Sequence, residues 1–167
     1  MAASEPATVT IRPAVQDDLP LIAALIHELA EYEKLAHEVR FDEATLGRNL
    51  FGPLAFAEVV IAELDGEPQG FALFFHNFST FEGRPGIYLE DLFVRPVARG
   101  AGLGKALLAH LANIAVKRGC ARLEWSVLDW NAPAIGFYRS LGARPMDGWT
   151  TMRVDGAALS DLSAILG

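Results

Sequence analysis

The chain has 167 residues, a mass of 18.1 kDa, 51% hydrophobic and 21% charged residues, which excludes a disordered or fibrous protein and fits one domain with a full core. A net charge of -7 with no local Lys/Arg cluster excludes a surface that tracks nucleic-acid backbone and favours cationic partners. The longest apolar run, "LIAALI", is too short for a bilayer, "MAASEPATVTIRP" has no signal-peptide pattern, and the lone Cys120 allows no intramolecular disulfide, so we expect a cytoplasmic protein without a membrane partner.

In chain order, "TVTIRPA" alternates as a short strand. Asp17, Asp18 and Pro20 then open a helix whose apolar residues Leu19, Ile22, Ala23, Ile26, Leu29 and Ala30 recur at helical spacing. A second short helix is predicted from Asp42 to Leu50. "FAEVVIAEL" and "QGFALFFHNF" are apolar runs joined through Asp65-Gly66, the signature of an antiparallel hairpin. "STFEGRPG" reads as a polar loop, and "IYLEDLFV" as a buried strand interrupted by two carboxylates and ended by Pro96. After the glycine-rich "RGAGLG" comes a helix with Leu103, Leu107, Leu111, Ile114 and Ala115 along one side, ending near Gly119. "RLEWSVL" is the next strand, Asn131 caps a helix reaching about Ser140, Gly142 stops it, and "WTTMRV" is a last strand before a short tail. This order predicts a mixed sheet with helices on its faces, containing a right-handed parallel strand-helix-strand unit over residues 87–127. No repeat or linker divides the chain, so one domain is expected over residues 1–167, with residues 1–7 flexible.

The glycine-rich loop carries the first functional signal. A glycine turn feeding a helix N-terminus leaves backbone N–H groups unpaired at the positive end of the helix dipole, which suits phosphate. A nucleotide P-loop does not fit, because Arg99 stands at the first glycine position and Ala106 at the magnesium-binding hydroxyl. The dinucleotide fingerprint fails too, since Lys105 replaces its third glycine. The four histidines are scattered without an HExxH pattern, so no catalytic metal is expected, and no G-x-S-x-G elbow supports a serine hydrolase.

What fits is R-x-x-G-x-G at Arg99, Gly102 and Gly104. With "YLEDLFV", "WSVLDWNAPAIGFYRSLGA" and the early "ELAEYEK", the chain from about Ile11 to Asp155 resembles the GNAT superfamily of N-acetyltransferases, in its diamine (spermidine/spermine) acetyltransferase-like branch. The resemblance implies an α/β (α+β) GNAT fold. Its sheet would be twisted and mostly antiparallel, of about six to seven strands flanked by four helices, splayed at the central parallel strands.

It also implies acetyl-CoA as co-substrate. The pyrophosphate would lie on the N–H groups of Gly100, Ala101, Gly102, Leu103, Gly104 and Lys105, with Arg99 of the motif beside them, and the pantetheine arm along the backbone of Leu92, Phe93 and Val94 as a further strand. Asn131, Ala134 and Tyr138 would complete the cofactor contacts. An acceptor amine has an ordinary pKa of about 10.4, so a base is required. Glu90 is the favoured base, through water, with Asp91 drawing in the ammonium. Adjacent strand residues face opposite sides of a sheet, so a bulge or a division of labour between the two is implied. Tyr138 matches the family's general acid for the departing thiolate. Tyr32, Glu33, Glu124, Trp125 and Ser126 match substrate-binding positions, where acidic and aromatic groups suit a cation on an alkyl chain.

The resemblance further implies a homodimer acting on a small amine. "HNFSTFEGRPG" departs from the mammalian polyamine enzymes, which carry a tryptophan where Phe81 is the nearest aromatic here, so a lysine-like amino acid such as thialysine competes with a polyamine as acceptor. Acetylation of protein N-termini or lysines, and a catalytically silent acyl-CoA-binding module, are the alternatives.

Overall fold

A computed structural model describes residues 6–166, so residues 1–5 of the segment expected to be flexible lie outside the described residues. The chain separates into two compact units, Met1–Leu128 and Asp129–Gly167.

The first unit contains β1 (Val9–Pro13), α1 (Leu19–Tyr32), α2 (Glu43–Phe51), β2 (Glu58–Leu64), β3 (Glu67–Ser79), β4 (Arg84–Val94), α3 (Leu103–Lys117) and β5 (Leu123–Trp125). The strands form one sheet in the order β1-β2-β3-β4-β5, antiparallel except for the parallel β4/β5 pair. The hairpin between β2 and β3 turns where it was expected: Asp65 and Gly66 take φ of 52° and 82°, the left-handed pair that a two-residue connection requires. The expected loop "STFEGRPG" is shorter, because β3 runs through Ser79 and β4 begins at Arg84. Pairing with a partner strand extends a ladder into residues whose composition reads as loop.

One face of the sheet packs Val59, Ile61, Phe71, Leu73 and Phe93 against Ile22, Leu25 and Leu29 of α1 and Leu50 of α2. Strand alternation sends Val60, Ala62, Ala72 and Phe74 to the opposite face, where α3 contributes buried Leu103, Leu107 and Leu111. Burial on both faces explains why β2 and β3 read as continuous apolar runs. Arg95 fixes the end of β4 to α1, donating to the Glu28 carboxylate from Nη2 at 2.8 Å and from Nε at 3.0 Å.

β5 is shorter than "RLEWSVL" predicts. It pairs with β4 only at Ile87↔Leu123, Tyr88↔Glu124 and Leu89↔Trp125. The second unit holds α4 (Ala132–Ser140) and α5 (Gly156–Ser163). Asn131 Oδ1 accepts from Ala134 N–H at 3.4 Å, the expected cap, and Gly142 takes φ 92° just beyond the helix. The strand expected over "WTTMRV" does not form, and α5 occupies part of the expected tail. The sheet therefore has five strands, not six to seven, and the described residues contain five α-helices, not four. Alternation alone makes a strand only where a neighbouring strand supplies hydrogen bonds, and residues 149–154 find none among the described residues. No described helix is long and apolar enough to cross a membrane.

Candidate functional site

α3 begins without a capping side chain. Gly102, its N-cap, sits at φ 86° and ψ 11°. The helix's first bond is Ala106 N–H to the Gly102 carbonyl at 3.0 Å, so the N–H groups of Leu103, Gly104 and Lys105 precede any acceptor within the helix. Gly100 shares the left-handed conformation at φ 86°, which explains glycine at both positions. Gly104 is different: its φ is ordinary, and an added Cβ would meet nothing within 4 Å. Neither backbone nor packing demands glycine there, and a side chain would only fill the space over the first turn. That clear space above exposed N–H groups fits a pyrophosphate lying directly on the backbone, so the residues present fit acetyl-CoA.

The strand leading into this loop is open on one side. β5 leaves β4 after Leu89, and no described strand pairs with β4 residues 90–94 on that side. The sheet is splayed there, as expected. Arg95 N–H donates to Gln69 O at 2.8 Å, and alternation from that bond turns the backbone groups of Phe93 toward β3 and those of Leu92 and Val94 toward the open edge.

Glu90 and Asp91 lie where the strand breaks register. Leu73 pairs with Asp91 and the next residue, Phe74, with Leu89, so Glu90 is the extra residue of a β-bulge. The bulge resolves the problem that two adjacent carboxylates pose. Glu90 is exposed, whereas Asp91 is partly buried and shares the α1 face with Phe93. Burial, reinforced by the charges of Glu90 and Glu33, pushes the Asp91 carboxyl up from its ordinary 3.8 to about 6. Burial also raises Glu33, which ends α1. Three carboxylates thus crowd one place, a field that suits a cation.

The end of α1 is sharply set. Lys34 follows at φ 62°, a left-handed conformation usually given to glycine, and Leu35 N–H returns to Ala30 O at 2.8 Å. Tyr32 therefore ends the helix with its ring facing the Arg99 guanidinium, 5.0 Å from ring centroid to Cζ. The Phe93 ring lies 5.9 Å from the same atom, and Arg99 Nε donates to Val94 O at 3.2 Å.

On β5, the Glu124 carboxylate is paired with Arg122, and Trp125 is in register with Leu89. Ser126 follows the last paired residue, its hydroxyl 2.7 Å from that of Tyr88. Tyr88 escaped sequence reasoning because a tyrosine in an apolar strand looks like core filling; the bulge at Glu90 puts it on the same face as Asp91. Asn131, Ala134 and Tyr138 lie in the second unit, where Tyr138 O accepts from Ala143 N–H at 3.1 Å and the Tyr138 ring lies 5.6 Å from that of Phe137.

Comparison with known proteins agrees with this geometry. A family described as "Acetyltransferase (GNAT) family" matches residues 22–143. The thialysine N-epsilon-acetyltransferase of Bos taurus is 40% identical, over 94% of this chain and 98% of that protein. L-ornithine N5-acetyltransferase NATA1 of Arabidopsis thaliana is 32% identical over 93% of this chain and 88% of that protein. Among solved structures, an integron cassette protein of V. cholerae superposes with a TM-score of 0.77 at 30% identity, covering 93% of this chain and 98% of that one. The glycine-opened helix, the splayed strand edge and these similarities lead to one conclusion: the chain belongs to the acetyltransferase (GNAT) family.

Proposed function

We propose that this protein transfers the acetyl group of acetyl-CoA to the terminal amine of a small lysine-like amino acid such as thialysine, with polyamines as secondary acceptors. That it is an amine N-acetyltransferase follows from its family and from relatives at up to 40% identity. The observation that carries the finer reading is the placement of Glu33, Glu90 and Asp91 together on the open-edged strand leading to the glycine loop. A cationic acceptor gains there from negative charge, and its alkyl chain from the exposed Tyr32 ring.

Acetyl-CoA supplies an activated thioester when bound. The N–H groups of Leu103, Gly104 and Lys105 would hold its pyrophosphate, and the backbone groups of Leu92 and Val94 that face the open edge would align the arm that follows. Asp91 and Glu33 draw in the ammonium, while exposed Glu90 takes its proton through water. Tyr138 returns a proton to the thiolate, the role its motif position carries in the resemblance. Asn131 and Ala134 complete the cofactor contacts. Residues 1–167 act as one catalytic domain, in the cytoplasm.

The test is thiol release from acetyl-CoA with thialysine, lysine, ornithine, putrescine and spermidine. We expect the highest kcat/KM with thialysine, and Tyr138→Phe to lower turnover at least tenfold with little change in acetyl-CoA affinity. Acetyl-CoA binding without release from any amine would support the silent module instead, and release only with peptide amines would support a protein acetyltransferase.

A further inference from the structure

Glu28 and Tyr32 stand one turn apart on the same face of α1, and each meets an arginine from the segment that leaves β4. The two ties differ in kind. Arg95 holds Glu28 by two charged hydrogen bonds and anchors the body of the helix, which already accounts for the structural attachment of α1. Arg99 is bound differently, with its guanidinium facing the rings of Tyr32 and Phe93 and its Nε on Val94 O. Standing directly before Gly100, it therefore ties the glycine loop to the helix end that carries Glu33 and to the last carbonyl of the open strand edge.

We propose that Arg99 is a positioning residue that couples the two substrate sites, so that filling the glycine loop with acetyl-CoA fixes the Tyr32-Glu33 end of α1 for the amine and the amine in turn tightens acetyl-CoA. This inference rests on the functional reading above. Anything that sets the backbone around Gly100 also sets the arginine beside it, and the guanidinium transmits that constraint to Tyr32. Linkage makes the effect of the two substrates on each other reciprocal, and because the Tyr32–Arg99 contact carries it, removal of the Tyr32 ring, outside the loop, alters acetyl-CoA affinity. Cation–π contacts at exposed positions are of a size that corresponds to about two- to fivefold in affinity.

Calorimetric titration of acetyl-CoA into wild type, Tyr32→Leu, Tyr32→Phe, Arg99→Gln and the Tyr32→Leu/Arg99→Gln double variant tests the coupling, together with steady-state kinetics on thialysine. Tyr32→Leu is expected to weaken acetyl-CoA about two- to fivefold, Tyr32→Phe to restore the affinity because the ring remains, and Tyr32→Leu to add nothing once Arg99 is glutamine. Arg99→Gln is expected to raise the KM for thialysine more than it lowers kcat. Arg99→Lys, which keeps the charge without the planar stack, serves as a second probe and is expected to lose the coupling as well. Additive effects of Tyr32→Leu and Arg99→Gln on acetyl-CoA, or no effect of Tyr32→Leu alone, would overturn the coupling while leaving the acetyltransferase reading intact. Failure of the wild type to bind acetyl-CoA would remove both.

Discussion

Asp91 is the residue whose chemistry depends most on its surroundings. Its carboxyl is raised to about 6, so between its ordinary 3.8 and that value the folded chain binds more protons than the unfolded one. Stability from this group is therefore complete below about pH 4 and is lost as pH rises through 6. Asp91→Asn cannot ionise and is expected to melt higher than wild type at pH 7.5, by a free energy of about 3 kcal/mol, and by little at pH 4. Thermal melts at the two pH values check this; an equal difference at both would sink it. The same residue serves function in the opposite sense, since the ammonium is drawn in by the ionised form. With thialysine, kcat/KM should fall as pH drops through about 6, and Asp91→Asn should abolish that inflection.

At the scale of elements, the turn into α3 matters most. Gly102 holds φ 86° with open space around its Cβ position, so alanine there introduces backbone strain without a clash. Gly102→Ala is expected to cost about 1 to 2 kcal/mol of stability and to raise the KM for acetyl-CoA, because relief of the strain redirects the N–H groups that follow. Chemical denaturation and steady-state kinetics would detect the two effects separately, and an unchanged KM would show that this turn does not hold the cofactor. The bulge at Glu90 is the other decisive element. One extra residue brings near each other two carboxylates that would otherwise project to opposite faces of an ordinary strand, one of them exposed and the other half-buried.

At the scale of the whole molecule, the second unit leaves large apolar side chains uncovered, with Trp149 81% and Met152 87% exposed. The resemblance implies a homodimer, and we propose that a second copy of the chain covers these side chains. Light scattering is expected to report twice the chain mass of 18.1 kDa, and Trp149→Glu to shift that value to the monomer. A monomeric wild type at micromolar concentration would count against the dimer.

Much of this architecture was legible in the sequence because it is locally encoded. The Asn131 cap, the Asp65-Gly66 turn and the helical spacing of α1 and α3 act over a few residues, and the structure places each as expected. The glycine loop was legible for the same reason, since it is one turn feeding one helix. Strand extent was not. β3 and β4 grew into the expected loop, β5 stopped at Trp125, and residues 149–154 alternate without becoming a strand, because a strand's limits are set by the partner beside it. Tertiary structure alone decided the register step at Glu90, the crowding of Glu33 with Glu90 and Asp91, and the placing of Arg99 beside Tyr32 and Phe93. Glu33 and Tyr32 lie dozens of positions from Asp91 and Arg99, and only the packing of α1 across the sheet brings them within reach of one another.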